Sequence, residues 1–203
     1  ALSPKCHVVV ANPPYMNSNG MNSKLKTYLH SFFPNSKSDL MTAFMERATT
    51  ALLPNGTYGM INLPSWMFLG SFEKLRLSMV DGSTIVSLLH LGRGIFGSDF
   101  GSVAFIIRNS IPNHRTRGLY RRLFEKHVQV RTPSEIENLF LDSEYGRFSF
   151  NQADLLSIPG NPISYWLSSE MLDAFKKNEK LGGQCDICVG LQTGDNGRFL
   201  RYW

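Results

Sequence analysis

The spacing of apolar residues near the start of the chain changes from a strand pattern to a helix pattern. Residues 7–11 form an uncharged run with three valines that predicts a buried strand, and the two prolines that follow cannot extend its hydrogen-bond ladder. Residues 15–38 form a loop rich in Gly, Asn and Ser, of a length that is more often functional than incidental. Apolar positions at 38–53 keep the 3.6-residue period, so we predict a helix with Ser38 as its N-cap and a turn at 54–56.

The alternation of strand and helix patterns continues to about residue 110. We predict strands at 57–62, 84–90 and 102–108, with a helix at 71–80. Helical crossovers between the earlier strands predict parallel neighbours, whereas the short link between the last two strands predicts an antiparallel pair. This order is that of the second half of a doubly wound α/β sheet.

Past residue 110 the predicted elements become shorter and more widely spaced. They are a helix at 133–141, a strand at 147–150 and a helix at 164–177. We therefore divide the chain into residues 1–110, which hold the half-sheet, and residues 111–203, an α+β extension.

Composition narrows the class of protein. The chain has 203 residues, of which 42% are hydrophobic and 18% charged, as expected of a folded globular domain. It has neither an apolar run of about 18 residues, as a membrane span needs, nor a signal-peptide pattern. Three cysteines cannot form a disulfide framework, which favours the cytoplasm. Cys185 and Cys188 form a lone CxxC without a second pair, so we expect reduced thiols in a packed segment and no metal site.

The positive charge of the chain, +5, is concentrated in one stretch. Its basic or potentially basic side chains are His114, Arg115, Arg117, Arg121, Arg122, Lys126, His127 and Arg131. Such a cluster can neutralise phosphates, which makes double-stranded DNA a candidate partner and four of its arginines (115, 117, 121 and 122) the candidate contacts. The alternative is a solvated surface helix or loop, and charge alone does not decide between them.

The tetrapeptide Asn12-Pro13-Pro14-Tyr15 carries the most specific chemistry. It follows a buried strand, and ligands of open α/β sheets bind where such strands end. An amino group on an aromatic ring is a poor nucleophile because its lone pair is delocalised. The Asn12 carboxamide oxygen and the Pro13 carbonyl offer two acceptors for its N–H bonds, and the prolines hold both acceptors in place.

Tyr15 adds a flat surface on which a base can stack. An amino group at N6 of adenine lies inside the duplex, so the base would have to be flipped out of the stack. The alternative is that Asn-Pro-Pro-Tyr is only a turn that ends a strand.

The segment Val8-Val9-Val10-Ala11-Asn12-Pro13-Pro14-Tyr15 resembles the catalytic motif of the N6-adenine DNA methyltransferases in their gamma arrangement. Three further segments resemble later parts of that family: residues 53–66 with Leu-Pro-Ser-Trp at their end, residues 94–107 with Gly-Ile-Phe-Gly at their start, and residues 190–196. The last is similar to the opening of a target-recognition domain. The combination resembles the large methyltransferases of type IIG restriction–modification systems and of the BREX phage-defence system.

The resemblance implies a fold and a set of roles. The fold is the C-terminal half of a Rossmann-like class I methyltransferase sheet, with an extension that leads to target recognition. Asn12 and the Pro13 carbonyl would bind the target amino group, Pro14 would stiffen the motif, and Tyr15 would stack on the flipped adenine. Phe96 would close the opposite side, although Phe100 lies close enough to compete. Pro64 and Trp66 would shape the wall of the pocket.

The resemblance also implies S-adenosylmethionine as the methyl donor. The family's glycine-rich cofactor turn and acidic ribose ligand precede the catalytic motif, and only eleven residues precede Asn12. We therefore expect this chain to be an inactive piece of a longer bacterial or archaeal protein. Without the family's preceding strands, residues 7–11 would be an apolar sheet edge that pairs with another copy, is covered by a displaced segment, or aggregates.

Two other functions share these features. Methyltransferases that act on glutamine in proteins or on amino groups in RNA use the same tetrapeptide, because the acceptor chemistry is the same. A non-catalytic DNA-binding or assembly module, bound to other defence-system subunits, is the alternative from a different class.

Overall fold

The computed structural model describes residues 4–96, 100–126 and 129–186. Its strands are β1 (Cys6–Ala11), β2 (Leu52–Asn62), β3 (Thr84–Arg93), β4 (Gly101–Arg108), β5 (Arg117–Arg122) and β6 (Arg147–Asn151). Its helices are α1 (Ser23–Phe32), α2 (Leu40–Ala51), α3 (Glu73–Gly82), α4 (Pro133–Leu141) and α5 (Ser169–Lys177).

All six strands form one sheet in the order β1-β2-β4-β3-β5-β6. Strand β1 pairs parallel with β2 across the α2 crossover, and β3 pairs antiparallel with β4. The predicted half of a doubly wound sheet, with its final antiparallel pair, is therefore confirmed.

The central part of the basic stretch is strand β5 (Arg117–Arg122), so its interpretation as a surface helix or loop is wrong for those residues. Strand β5 pairs parallel with β3 and antiparallel with β6, so the extension continues the same sheet. Arginines and a glycine give this segment a weak strand pattern, and its pairing comes from two neighbouring strands. The division of the chain at residue 110 stays a prediction.

Helix α1 lies inside the segment predicted as a loop at 15–38, which corrects that prediction. Its sequence is polar and only Leu29 is buried, so it lacks a wide apolar stripe; Asn22 caps it by accepting from the Leu25 N–H. Helix α2 begins one residue later than predicted, because the Asp39 carboxylate and not Ser38 caps it. Helix α5 begins at Ser169, five residues after the predicted start at 164.

The predicted turn at 54–56 is an irregularity within β2. Cys6 lies opposite Leu52 and Val8 opposite Thr57, so β2 carries three more residues than β1 over this interval. Asn55 adopts a left-handed backbone (φ 63°) that makes the excursion possible. A Cβ at Gly56 would lie 2.9 Å from the His7 carbonyl oxygen, so the close approach of β1 requires glycine.

One face of the sheet holds the main core. Helices α2 and α3 pack there, and the core includes Met41, Met45, Tyr58, Leu75, Met79, Ile85, Phe105 and Tyr120. On the opposite face, α4 packs through Ile136 with Leu91 and Leu123. Arg121 reinforces this contact because its guanidinium donates to the carbonyls of Leu139 and Phe140 at the end of α4.

In the part of the chain that the structure describes, nothing covers the opposite face at the β1 end. Val8 and Val10 are 60% and 81% exposed, and β2 is the one neighbour of β1 among the described strands. An open apolar hollow of about 580 Å³ runs from Val10 across Gly59 and Ile61 to Ile106. The valines of the predicted buried strand therefore lie on an exposed sheet edge.

Three features concern membranes, metals and thiols. None of the helices in residues 4–96, 100–126 and 129–186 has both the length and the apolar character to cross a bilayer. Over the same residues no three His, Cys, Asp or Glu side chains come together as metal ligands. Cys185 is exposed, not packed as expected for the CxxC pair, and Cys188 lies outside the described residues.

Candidate functional site

The carboxyl ends of four strands meet at one rim of the sheet. Strands β1, β2, β3 and β5 run in the same direction, and β4 starts at that rim because it is antiparallel to two of them. The segments after Ala11, Asn62, Arg93 and Arg122 therefore lie along this edge, which we call the carboxyl rim. Side chains distant in sequence meet there, as in other open α/β sheets.

Asn12 leaves β1 at the carboxyl rim with its side chain exposed to a cavity. No hydrogen bond joins its carboxamide to a described residue, so its oxygen is available to a ligand. Pro13 is buried beneath it, and Pro14 is exposed. Two successive prolines fix φ and limit the conformations of the residue before each, so the Asn12 and Pro13 acceptors have a stiff backbone.

Tyr15 is held by a single hydrogen bond across the rim. Its hydroxyl donates to the Ile61 carbonyl at 3.1 Å, which ties the end of the motif to the end of β2. Partial burial raises the pKa of the Tyr15 hydroxyl, so it stays a neutral donor at physiological pH. The ring itself remains 39% exposed and can present a face to a ligand.

A cavity of about 390 Å³ brings the motif together with the loop between β3 and β4. Its lining includes Asn12, Pro13, Tyr15, Phe96, Phe100 and Ser102. A hydrogen-bonding carboxamide beside several rings suits a planar, polar heterocycle.

Both candidate aromatic residues of the β3–β4 connection reach this cavity. Phe96 is 57% exposed and Phe100 is 69% exposed, so neither is a core residue. Residues 97–99 between them lie outside the described residues. Both residues therefore line the same cavity as the motif, and the choice of Phe96 as the stacking partner stays a prediction.

Trp66 is a residue of the hydrophobic core. It is fully buried and its ring lies 5.1 Å from that of Phe105 in the core. Pro64 lines a neighbouring cavity along the rim. The stabilising contact of this segment is Arg76, whose guanidinium donates to the carbonyls of Trp66, at 2.9 Å, and Leu69, at 2.6 Å.

The four arginines predicted to contact DNA do not share one surface. Arg115 and Arg117 are exposed near the start of β5. Because β5 runs parallel to β3, its start lies at the rim of the sheet opposite the carboxyl rim. Arg121 is engaged with α4, and Arg122 lies at the carboxyl rim with its guanidinium against aromatic rings. Their assignment to DNA stays a prediction.

Sequence reasoning missed three polar residues that the structure makes prominent. Asp39 and Arg76 are buried and bind backbone groups of distant segments, and Asn62 ends β2 with its amide fully buried and no partner among the described residues. Asn62 precedes Leu63, which lines the cavity beside Asn12. Its place at the end of a predicted strand next to the motif was the signal that could have identified it.

The described residues do not by themselves form an S-adenosylmethionine site. Such a site needs backbone N–H groups of a glycine-rich strand–helix turn and an acidic side chain for the ribose. No carboxylate lines the cavity beside Asn12, and the residues of 4–11 contain no glycine. The described residues therefore supply only the groups that would bind the target amino group.

A half-sheet with Asn-Pro-Pro-Tyr at its carboxyl rim defines a class I methyltransferase fold. Comparison with solved structures agrees with this class. The chain matches a structure of a type I restriction–modification system with a TM-score of 0.60 and 13% identity, over 90% of this chain and 41% of that one. A protein from Listeria monocytogenes assigned to the class I S-adenosylmethionine-dependent methyltransferases matches with a TM-score of 0.50 and 14% identity, over 71% and 43%.

Residues 3–96 match the Eco57I restriction-modification methylase family. Over its whole length the chain is 38% identical to the adenine-specific methyltransferase BrxX of Escherichia coli and 33% identical to the adenine-specific methyltransferase PglX of Lacticaseibacillus casei. It spans 16% of the length of BrxX and 17% of that of PglX.

Proposed function

We propose that this chain carries the site that binds the target amino group in a DNA adenine-N6 methyltransferase of a restriction–modification or phage-defence system. The observation that carries the proposal is the position of Asn12, whose exposed carboxamide lines a cavity with Tyr15, Phe96 and Phe100. An exposed asparagine at the end of a strand, in a cavity that three aromatic residues also line, suits the binding of a flipped adenine better than the role of a simple turn.

The chemistry of the site is that of an amino-group acceptor. The Asn12 oxygen and the Pro13 carbonyl accept hydrogen bonds from the two N–H groups of N6. This arrangement favours a pyramidal nitrogen with its lone pair free. Stacking against Tyr15 holds the ring in this position, worth roughly 1–3 kcal/mol per base. No group of the protein becomes covalently attached, and the rate gain comes from placement and electrostatics.

Two comparisons support the substrate and the methyl donor. BrxX and PglX are both adenine-specific methyltransferases and align with the whole of this chain. The Listeria neighbour is assigned to the S-adenosylmethionine-dependent enzymes, so we assign the same donor to the complete protein. The complete protein would act in the cytoplasm, on double-stranded DNA and together with other defence subunits.

The experiment that tests the proposal is a substrate panel with the complete protein. Radiolabelled S-adenosylmethionine is supplied with duplex DNA, with RNA of the same sequence and with a cell lysate freed of nucleic acid. We expect label in DNA alone, recovered as N6-methyladenine after digestion to nucleosides. Label in RNA or protein would mean that one of these, and not DNA, is the methyl acceptor. The absence of label from all three would favour a non-catalytic module.

A further inference from the structure

A second pocket at the carboxyl rim is lined by aromatic rings around one arginine. It measures about 330 Å³ and is lined by Phe68, His90, Arg122, Phe124, Glu125 and Trp166. We call it the arginine–aromatic pocket. These residues come from the segment after β2, from β3, from the end of β5 and from the segment before α5. The pocket therefore forms only when these distant parts of the chain pack together.

Arg122 is a planar cation between rings. Its guanidinium carbon lies 5.6 Å from the ring centres of Phe148 and Trp166 and 5.8 Å from that of Phe124. Within the described residues no carboxylate lies within 4.0 Å of it and no acceptor binds its donors. These contacts orient the guanidinium while leaving its N–H groups for a ligand.

The remaining walls suit a flat ring. Phe68 is partly exposed, and its ring lies 5.8 Å from that of Trp166 and 6.4 Å from that of the buried His90, nearly parallel to the latter. Glu125 is exposed at the mouth of the pocket and accepts hydrogen bonds of the kind that base amino groups donate. Rings that stack a base beside a cation that binds phosphate are the usual components of a nucleotide site.

A third cavity lies between this pocket and the cavity of Asn12 along the rim. An intermediate cavity of about 370 Å³ shares Leu63 and Phe100 with the Asn12 cavity and Phe68 with the arginine–aromatic pocket. Four strand spacings of about 4.8 Å separate the ends of β1 and β5, a distance of about 19 Å. At about 3.4 Å per base pair this distance corresponds to roughly five or six base pairs of DNA.

We propose that the arginine–aromatic pocket binds a second nucleotide of the DNA, about five or six positions from the methylated adenine. Its base, flipped out of the duplex, stacks on the exposed ring of Phe68 next to Trp166, and its phosphate binds the Arg122 guanidinium. This inference rests on the proposed function for the identity of the nucleic acid, and it adds a contact that the Asn12 site does not need for chemistry.

The test is an abasic scan of a duplex that contains the recognition sequence. The complete protein binds fluorescein-labelled duplexes in which one nucleotide at a time, over eight positions on each side of the target adenine, lacks its base. We expect a weakening of roughly 5- to 100-fold at one or two positions about five or six nucleotides from the adenine, in addition to any loss at the adenine itself.

Variants connect that loss to the pocket. Phe68→Ala changes an exposed ring and should weaken binding of the intact duplex by a similar factor, while becoming insensitive to the distant abasic position. Trp166→Phe, which keeps a stacking ring, should stay within about threefold of wild type. Arg122→Gln should weaken binding and reduce its salt dependence, whereas Arg108→Ala, an equal charge loss at the opposite rim, should do neither.

The results separate this inference from the proposed function. Binding needs no methyl transfer, so a protein that transfers no methyl group still reports on the pocket. Equal affinity for every distant abasic duplex would overturn the inference. So would equal sensitivity of wild type and Phe68→Ala to the distant abasic position. Circular dichroism of each variant shows that it is folded, and the scan with wild-type protein needs no variant.

Discussion

At the scale of single residues, Tyr15 has two separable contributions. Its hydroxyl binds the Ile61 carbonyl, and its ring faces the cavity of Asn12. The first contribution belongs to the fold of the rim and the second to the proposed stacking of a base. Substitutions that remove one group at a time therefore distinguish a merely structural tyrosine from a base-binding one.

We expect Tyr15→Phe to keep methyl transfer within about tenfold of wild type, because one exposed hydrogen bond contributes roughly 0.5–1.5 kcal/mol. Tyr15→Ala should weaken target-adenine binding roughly 5- to 150-fold, since it also removes the stacking surface. Steady-state kinetics with duplex DNA measure both. Equal losses in the two variants would mean that the ring does not stack on the base.

Asp39 shows how burial and capping act on one carboxylate. Its Oδ1 accepts from the N–H groups of Met16 at 3.2 Å and Met41 at 3.0 Å, which joins the motif loop to the start of α2. Burial raises the pKa of Asp39 above its ordinary value, and the two hydrogen bonds only partly offset this effect. The folded state therefore binds the proton of Asp39 more tightly than the unfolded state does.

Stability should fall as the pH rises from the ordinary Asp pKa, about 3.9, through the raised folded pKa. Asp39→Asn keeps an acceptor without the charge, so at pH 7 it should melt at or above the wild-type temperature and lose this part of the pH dependence. Asp39→Ala should cost roughly 0.5–2 kcal/mol, because the cap is lost. Thermal unfolding between pH 3.5 and 8 checks this, and a destabilised Asp39→Asn at pH 7 would contradict it.

At the scale of elements, the segment after β2 is held by one buried cation. Arg76 on α3 binds the carbonyls of Trp66 and Leu69, and its Nε donates to the carbonyls of Gly160 and Asn161 at 3.1 Å. Burial lowers the pKa of this guanidinium, but the group remains charged. Arg76 therefore joins α3 to two irregular segments near the carboxyl rim.

Replacing Arg76 should lower the free energy of unfolding, because it removes the contacts between α3 and these two segments. Arg76→Met leaves four carbonyls without their donor, one of them buried and the others partly buried, and should cost about 3 kcal/mol or more. Arg76→Lys keeps the charge but not the planar fork, so an intermediate loss is expected. Urea unfolding measures both, and a change below about 0.5 kcal/mol in Arg76→Met would contradict the structural role.

Sequence pattern predicted the elements with clear apolar periods. Strands β1, β3 and β4 and helices α2 and α3 lie close to their predicted bounds, whereas β2 begins at Leu52 and not at residue 57. Val8 and Val10 of β1 are exposed and not buried as predicted. Strand β5 escaped prediction because the charges of Arg121 and Arg122 are accommodated only by α4 and by the aromatic rings, which are tertiary contacts. The same reason hid the arginine–aromatic pocket, whose residues are up to 98 positions apart.

The candidate site was predictable in part. The adjacent residues Asn12 to Tyr15 form a local motif whose position after a strand fixes its place in the fold. The roles of Asp39, Asn62 and Arg76 depend on burial by segments distant in sequence, which no local pattern reports.

At the scale of the whole molecule, the exposed β1 edge is the feature that most affects behaviour in solution. Val8 and Val10 lie on an edge strand of the described sheet, whose other side pairs with no described strand, and both residues are exposed. Such an edge pairs with other strands when it is not protected by charge. We therefore keep self-association through residues 7–11 as a prediction.

The 203-residue chain should associate or aggregate as its concentration increases. Val10→Lys places a charge on the edge strand and should shift the population towards monomer, whereas Ile111→Lys changes an exposed residue outside the sheet and should not. Sedimentation velocity at several concentrations measures the distribution. A wild-type chain that stays monomeric throughout, with β1 still formed, would contradict the prediction.

In the proposed function the Asn12 carboxamide oxygen accepts a hydrogen bond from the amino group of an extruded adenine. The decisive measurement is single-turnover methyl transfer by the complete protein carrying Asn12→Ala, with DNA affinity measured in parallel. Loss of one preorganised polar group in an active site typically costs about 100- to 1,000-fold in rate, so we expect that loss with DNA affinity within about threefold of wild type. Asn12→Asp, which keeps an acceptor oxygen, should retain more transfer than Asn12→Ala. An Asn12→Ala protein that transfers methyl groups at the wild-type rate would contradict the account.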